Sequence, residues 1–298
     1  MKLLLLRIMM RVFSWITPPA AEIIAPPVAA VLWYLSPRKR RVTRLNLRAV
    51  YPDMDNAMRN KIARESMVHY VRGVFEAGML WHWPLERIFS YFDESEGIEI
   101  FREAERGGTG VLLAGAHCGS WELLGLFMQQ YLNGAILYKP GRHPDIEEML
   151  LEKRRRGGST MVPASGAGLR AMLKLLKERR SVALVVDQEP TLGEGKFAPF
   201  YGIETLTGVL LPRMAQRTGA TVVFGTCERC KGGRYRVHTF RADEAIYGKN
   251  MRAALTALNQ GLEQCIEVDT TQNLWAYKRF RNRPEGEKPF YKAGPGVS

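Results

Sequence analysis

The sequence predicts an α/β protein: a central mixed, mostly parallel sheet flanked by helices, preceded by a hydrophobic amino-terminal membrane anchor. Three observations carry that prediction. Residues Val111 to Gly115 form an unbroken apolar run, the mark of a strand buried on both faces. From there to about residue 186, strand-like and helix-like stretches alternate in the rhythm of α/β units. The 298 residues suffice for a substantial core, and no charged or low-complexity stretch divides them.

Residues 3 to 35 are mostly apolar, but Arg7, Arg11, Glu22 and the pairs Pro18-Pro19 and Pro26-Pro27 interrupt them. No charge-free run reaches the roughly 20 residues of a standard spanning helix. A cleaved signal peptide fits poorly, because the arginines fall inside the would-be apolar region and no clear A-x-A site follows. Lys2, Arg7 and Arg11 stand before the stretch, and Arg38 to Arg41, Arg44 and Arg48 after it, with Trp15, Trp33 and Tyr34 near its edges. That pattern suits a segment dipping into one leaflet with basic groups on lipid phosphates; a short tilted span is the alternative. The expected organisation is therefore an anchoring segment over 1–36 and one globular domain over 37–298.

Apolar residues from Ile62 to Met79 recur at three and four, predicting an amphipathic helix over Asn56 to Trp83 that Pro84 closes. A short helix near Ile98 to Arg106 and Gly107-Gly108 lead into the apolar strand, with a helix from Ser120 to Tyr131 behind it. Next come a strand at Ala135 to Tyr138, a helix at Pro144 to Arg156, a strand near Thr160 to Val162, a helix at Gly168 to Arg179 and a strand at Val182 to Val186. The last third predicts a helix near Leu206 to Thr218, strands at Thr221 to Thr226 and Tyr235 to Phe240, and a helix over Asn250 to Glu267. The tail after Arg283 reads as loop.

Forty-three Lys and Arg against 30 Asp and Glu leave a charge of +13, which suits an anionic partner: nucleic acid, a membrane surface or a phosphorylated substrate. The four cysteines form no disulfide framework, and Cys227 and Cys230 make a single C-x-x-C without a second pair at zinc spacing. They read as part of a hairpin loop, with no metal expected.

The chemistry concentrates at His117-Cys118-Gly119-Ser120-Trp121-Glu122. His117 follows the apolar strand, at the carboxyl edge where reactive groups gather in open α/β sheets. On one continuous helix a separation of five sets two side chains about 140° apart, so they could not touch. A sharp turn at Gly119 lets Glu122 fold back toward the ring, where a carboxylate would fix the tautomer and free the other nitrogen to take a proton from a hydroxyl. If the acyl donor is already a thioester, that hydroxyl attacks it directly and no covalent nucleophile is needed. Cys118 points away from its neighbour in extended backbone, which argues against a Cys-His pair. Taken alone, the motif also fits a buried histidine and a helix-start carboxylate.

The stretch from Gly110 to Glu122 resembles the H-x4-D/E motif of the late lipid A acyltransferases, the lauroyl- and myristoyl-type branch of the lysophospholipid acyltransferase group. Further blocks match in order: Arg44 to Pro52, the basic run Arg154 to Gly158, Asp187-Gln188, Pro199 to Gly202 with Thr207, and a W-x-x-K-R-F-x-x-R-P segment from Trp275 to Pro284. The resemblance runs from about residue 37 to 284. It implies a glycerolipid acyltransferase-like fold, His117 as general base and Glu122 as its orienting partner. It further implies substrate-binding roles for Arg154 or Arg156, Asp187, Gln188 and Thr207, with no cofactor beyond an acyl carrier protein or coenzyme A thioester as donor. The acceptor it implies is a hydroxyl of a phosphorylated glycolipid, a lipid A precursor, at the cytoplasmic face of a bacterial inner membrane. The amino-terminal segment departs from the family's plainer hydrophobic helix in being broken by prolines.

Two other readings compete. The acceptor could be another glycolipid or lysophospholipid, such as a mannosylated phosphoinositide, because the motif specifies hydroxyl and thioester and not the sugar. From a different class, the chain could be a non-catalytic basic protein binding membrane or nucleic acid; against nucleic acid, no Walker A, RRM, zinc-finger or helix-turn-helix signature occurs.

Overall fold

Proline placement shapes the amino-terminal helices. In the computed structural model, which describes residues 2–93, 96–141 and 144–291, α1 spans Lys2–Phe13 and α2 spans Pro18–Leu35. Thr17 caps α2, and Pro18 and Pro19 occupy its first turn, where a missing N–H costs nothing. Pro26 and Pro27 lie inside this helix. Ala21, Ala25, Ala29 and Trp33 recur at four and join the main core, against α4 (Asn56–His82), so the small side chains let two helices approach closely. The other faces of α1 and α2 leave Leu4, Leu5, Ile8, Val12, Ile23, Val31 and Leu35 exposed. Among the described residues α2 is the one helix long and apolar enough to cross a membrane by length and composition.

The basic run after α2 is itself helical: α3 (Pro37–Val50) buries Val42, Asn46, Leu47 and Val50 and turns Arg41, Arg44 and Arg48 outward. Asp55 caps α4 by accepting from the Met58 amide. Short helices α5 (Leu85–Phe89) and α6 (Glu99–Arg106) lead to the first strand, β1 (Val111–Gly119).

Then follow α7 (Trp121–Met128), β2 (Ala135–Tyr138), α8 (Pro144–Arg154), β3 (Thr160–Pro163), α9 (Gly166–Lys177) and β4 (Ser181–Val185). The chain closes with β5 (Gly195–Phe200), β6 (Ile203–Gly208), α10 (Leu210–Thr218), β7 (Thr221–Arg229), β8 (Tyr235–Arg241) and α11 (Met251–Glu267). The final loop expected after Arg283 lies outside the described residues from 292 on.

The main sheet has six strands in the order β3-β2-β4-β1-β7-β8, parallel except where β8 runs against β7. This is the mixed, mostly parallel sheet that the alternation implied. Leu112 and Ala114 pack into one core and Val111 and Leu113 into another, because successive side chains of a strand point to opposite faces. Central strands flanked by helices on both faces must therefore be apolar throughout.

One expectation fails. Leu206 to Gly208 are not the start of a helix but the end of β6, half of a two-stranded hairpin with β5. Its turn is Tyr201-Gly202, with φ of 49° and 74°, the positive values that a two-residue hairpin turn requires. Leu206 falls at helical spacing from Val209 and Leu210, which concealed the break.

Candidate active site

Parallel pairing of β1 with β4 aligns Gly115 with Val185, so two residues further along, past the last paired positions, His117 and Asp187 come together. The pairing of β1 with β7 shifts between Gly115 and Gly119, an irregularity of the kind that re-aims a side chain at a sheet edge. His117 lies within that irregular end of β1 and not beyond the strand. Gly119 then turns at a φ of 56°; a Cβ there would sit 2.1 Å from the Cys227 carbonyl oxygen. Only glycine fits, and the Ser120 amide donates to that same carbonyl at 2.7 Å.

Asp187 clamps His117 twice. Its Oδ2 accepts from the His117 amide at 2.8 Å, and its Oδ1 lies 2.7 Å from Nδ1. An ionised carboxylate only accepts, so Nδ1 carries a proton and Nε2 presents a lone pair. Burial pushes the imidazole down, yet the charge and hydrogen bond of Asp187, with a smaller push from Glu122, leave it above the ordinary value of 6.5. Burial pushes Asp187 up; the charge and hydrogen bonds of His117, with Arg279 nearby, outweigh this and hold it below the ordinary carboxylate range.

The arrangement differs from the expected one in its carboxylate. Glu122, in the first turn of α7, does not meet the ring; it binds Arg154 at the end of α8, accepting from Nε at 3.0 Å and from Nη2. The guanidinium fork takes both carboxylate oxygens, while the strand register gives the ring to Asp187. Glu122 stays near enough to act on His117 through its charge. Gln188 Nε2 lies 3.4 and 3.5 Å from the two ring nitrogens, beyond good hydrogen-bond length.

Arg156 and Thr207 do not join this group. Arg156 donates to the Leu80 and Trp83 carbonyls, satisfying the carboxy-terminal end of α4. Thr207 is fully buried and bonded to Asn259 and Arg279. Cys118 is also buried, which pushes its thiol up to about 12, the environment of a packed side chain. Cys227 is buried within β7 and Cys230 follows that strand, and among the described residues no cluster of His, Cys, Asp and Glu could hold a metal ion.

A family model described as bacterial lipid A biosynthesis acyltransferase matches residues 3–282. The chain belongs to this family. It is an acyltransferase. Among its relatives are a lipid A biosynthesis palmitoleoyltransferase and a lauroyltransferase of Escherichia coli (strain K12). The first is 28% identical, over 85% of this chain and 82% of that protein. The second is 26% identical, over 84% and 81%. A lipid A biosynthesis acyltransferase of Haemophilus influenzae is 24% identical, over 85% and 80%.

Beneath the turn lies a group that spacing did not reveal. Ser120 Oγ donates at 2.7 Å to Glu76, which also accepts from Arg229 and Tyr235, all of them buried. A signal was present: Arg72 and Glu76 interrupt the apolar stripe of the α4 helix, where a charge implies a buried partner.

The two shifted groups define a pH response. If His117 acts as a base it must be neutral to do so, and activity should then fall as pH drops through its raised value. Asp187→Asn removes the carboxylate that raises it; the acid limb of the pH–rate profile should move to lower pH while the plateau rate falls. A limb that stays in place would detach Asp187 from the ring's titration. For stability the signs are opposite. The His117 contribution is full below its ordinary value and lost as pH rises through the raised one. That of Asp187 is present above its ordinary value and lost as pH falls through the lowered one.

Proposed function

We propose that this enzyme moves a fatty acyl chain from an acyl carrier protein thioester to a hydroxyl of a lipid A precursor, with His117 as general base. Nε2 takes the hydroxyl proton as the oxygen attacks the thioester carbonyl, and the imidazolium is stabilised by Asp187. When the tetrahedral intermediate collapses, the carbon–sulfur bond breaks and Nε2–H returns the proton to the leaving thiolate. Arg154 uses two nitrogens on Glu122, and among the described residues its Nη1 has no protein partner. We assign that group to an oxygen of the acceptor or of the oxyanion, with Glu122 as the positioning carboxylate.

The observation that carries this reading is the clamped imidazole at the carboxyl edge of the sheet, its Nδ1 held and its Nε2 free to accept a proton. The names of the relatives support lipid A as the acceptor. The net charge of +13 favours both an acidic carrier protein and a phosphorylated lipid. The exposed side chains of α1 and α2 are the proposed contact with the inner membrane, on its cytoplasmic side. Burying each Leu or Ile there contributes roughly 1.5–3 kcal/mol over leaving it in water.

Mass spectrometry of membrane glycolipids from a strain lacking the protein tests the reaction. Loss of one acyl chain from lipid A, restored by the wild-type gene and not by His117→Ala, is the expected result. Unchanged lipid A alongside an altered lysophospholipid would move the proposal to that acceptor.

A further inference from the structure

A cavity of about 440 Å³ lies between α3 and the start of α4, away from the catalytic turn. Its lining includes Arg40, Arg41, Arg44, Arg48 and Arg59 with Asn60 and, among the described residues, no carboxylate. Among the described residues none of these five guanidinium groups is in an ion pair. Arg41, Arg44 and Arg48 follow one another at three and four, on one exposed face of α3. Arg40 and Arg59 are tied in place by backbone carbonyls, those of Trp33, Tyr51 and Pro52. Five like charges around one cavity repel each other, and an anion among them would offset that repulsion.

The chain itself indicates where that anion comes from. Pro37, on the cavity wall, is separated by one residue from Leu35, and Leu35 and Tyr34 end the exposed apolar face of α2 at about 70% exposure. A basic cluster abutting an apolar face matches a lipid, with its phosphate in the cavity and its chains along the helix. Nor is the acceptor's own phosphate a good occupant. Arg59 and Glu76, which holds Ser120 of the catalytic turn, are 17 positions apart on α4, about 25 Å at 1.5 Å per residue. A lipid with its phosphate in the cavity would have to carry its accepting hydroxyl across that distance to reach His117.

We propose that this cavity binds the phosphate of an anionic membrane phospholipid, at a site distinct from the one that binds the acceptor. The proposal rests on the reading that α1 and α2 face the membrane. It makes α3 a lock on the depth and tilt at which the enzyme sits, and thereby on the height of His117 above the lipid surface.

The test uses the full chain in neutral detergent micelles, with thermal midpoint as the readout. Phosphatidylglycerol should raise the midpoint and phosphatidylcholine should not. In a variant carrying Arg41→Gln, Arg44→Gln and Arg48→Gln, the same rise should need on the order of a hundredfold more phosphatidylglycerol. Arg44→Gln alone should give a smaller shift in the same direction. Arg213→Gln, Arg217→Gln and Lys249→Gln together remove as much charge elsewhere and should leave the response as in the wild type. An unchanged response in the α3 variant, or an equal loss in the control, overturns the site. So does a matching rise with inorganic phosphate at the same concentration, which indicates a free-anion site. Loss of acyl carrier protein binding with the lipid response intact would reassign the cavity to the carrier. If the wild type also fails to sediment with vesicles of any composition, the membrane reading fails with it; if it sediments regardless of headgroup and shows no phosphatidylglycerol response, this inference fails alone.

Discussion

His117→Ala is expected to lower turnover by roughly 10²–10⁴-fold, the usual contribution of a positioned general base, while the protein stays folded. The ring is held at the surface end of β1 by one carboxylate and an edge contact with Trp121, not by the core, and its side chain is 23% exposed. Removing it leaves Asp187 bonded to the His117 amide and still near Arg279, so the carboxylate is not stranded. The thermal midpoint should therefore move little. The decisive comparison is with Glu122→Gln, which keeps the size of the side chain but weakens its hold on Arg154. If Glu122 acts through Arg154, this variant should lose rate mainly through KM for the acceptor and keep its acid limb near that of the wild type. If Glu122 were the ring's own partner, the limb would shift as in Asp187→Asn. Near wild-type turnover in His117→Ala would sink the mechanism altogether.

How much of this the sequence disclosed follows from the range of each interaction. Continuous apolar runs and their alternation with helical periodicity are local, and so β1, β2 and β4 were legible, as was the position of His117 at a strand end. The hairpin of β5 and β6 was not, because Leu206 lies at helical spacing from its successors and the turn at Tyr201 needs an unusual backbone. The ring's partner was hidden for a different reason. Asp187 is 70 positions from His117, and only the parallel register of β1 with β4 brings them together, whereas Glu122 was the nearest carboxylate in sequence. Arg154 was picked out by its place before Gly158, and the structure adds the carboxylate that holds it. Thr207 came from a block that matched the family, and its place in the structure is a buried hydrogen bond to Arg279, apart from His117 and Asp187.

Glu76 and Arg229 should be where the turn from His117 to Glu122 is most easily broken from below. Arg229→Met leaves a carboxylate in the core whose charge was balanced by Arg229, at 2.6 Å from Nε and 2.8 Å from Nη2. Burial alone pushes Glu76 up, and Arg229 is the largest influence holding it down. Breaking such a pair from one side costs about 3–5 kcal/mol, against the 5–15 kcal/mol that typically holds a folded protein together. The double variant with Glu76→Leu and Arg229→Met removes both charges and should recover part of that loss. Recovery is incomplete because the Ser120 and Tyr235 hydroxyls then lose their acceptor, at roughly 1–3 kcal/mol each. Denaturation midpoints measure both steps, and a double variant no more stable than Arg229→Met would mean that the charges are not what matters. Activity separates positioning from stability. Ser120 lies between His117 and Glu122, so at a temperature where the double variant is folded, kcat should still fall as the turn loosens. The acid limb should nevertheless stay where it is, since Glu76 and Arg229 do not touch the imidazole. A shift of that limb would place the buried pair in the proton-transfer chemistry itself, with the turn as their route to it.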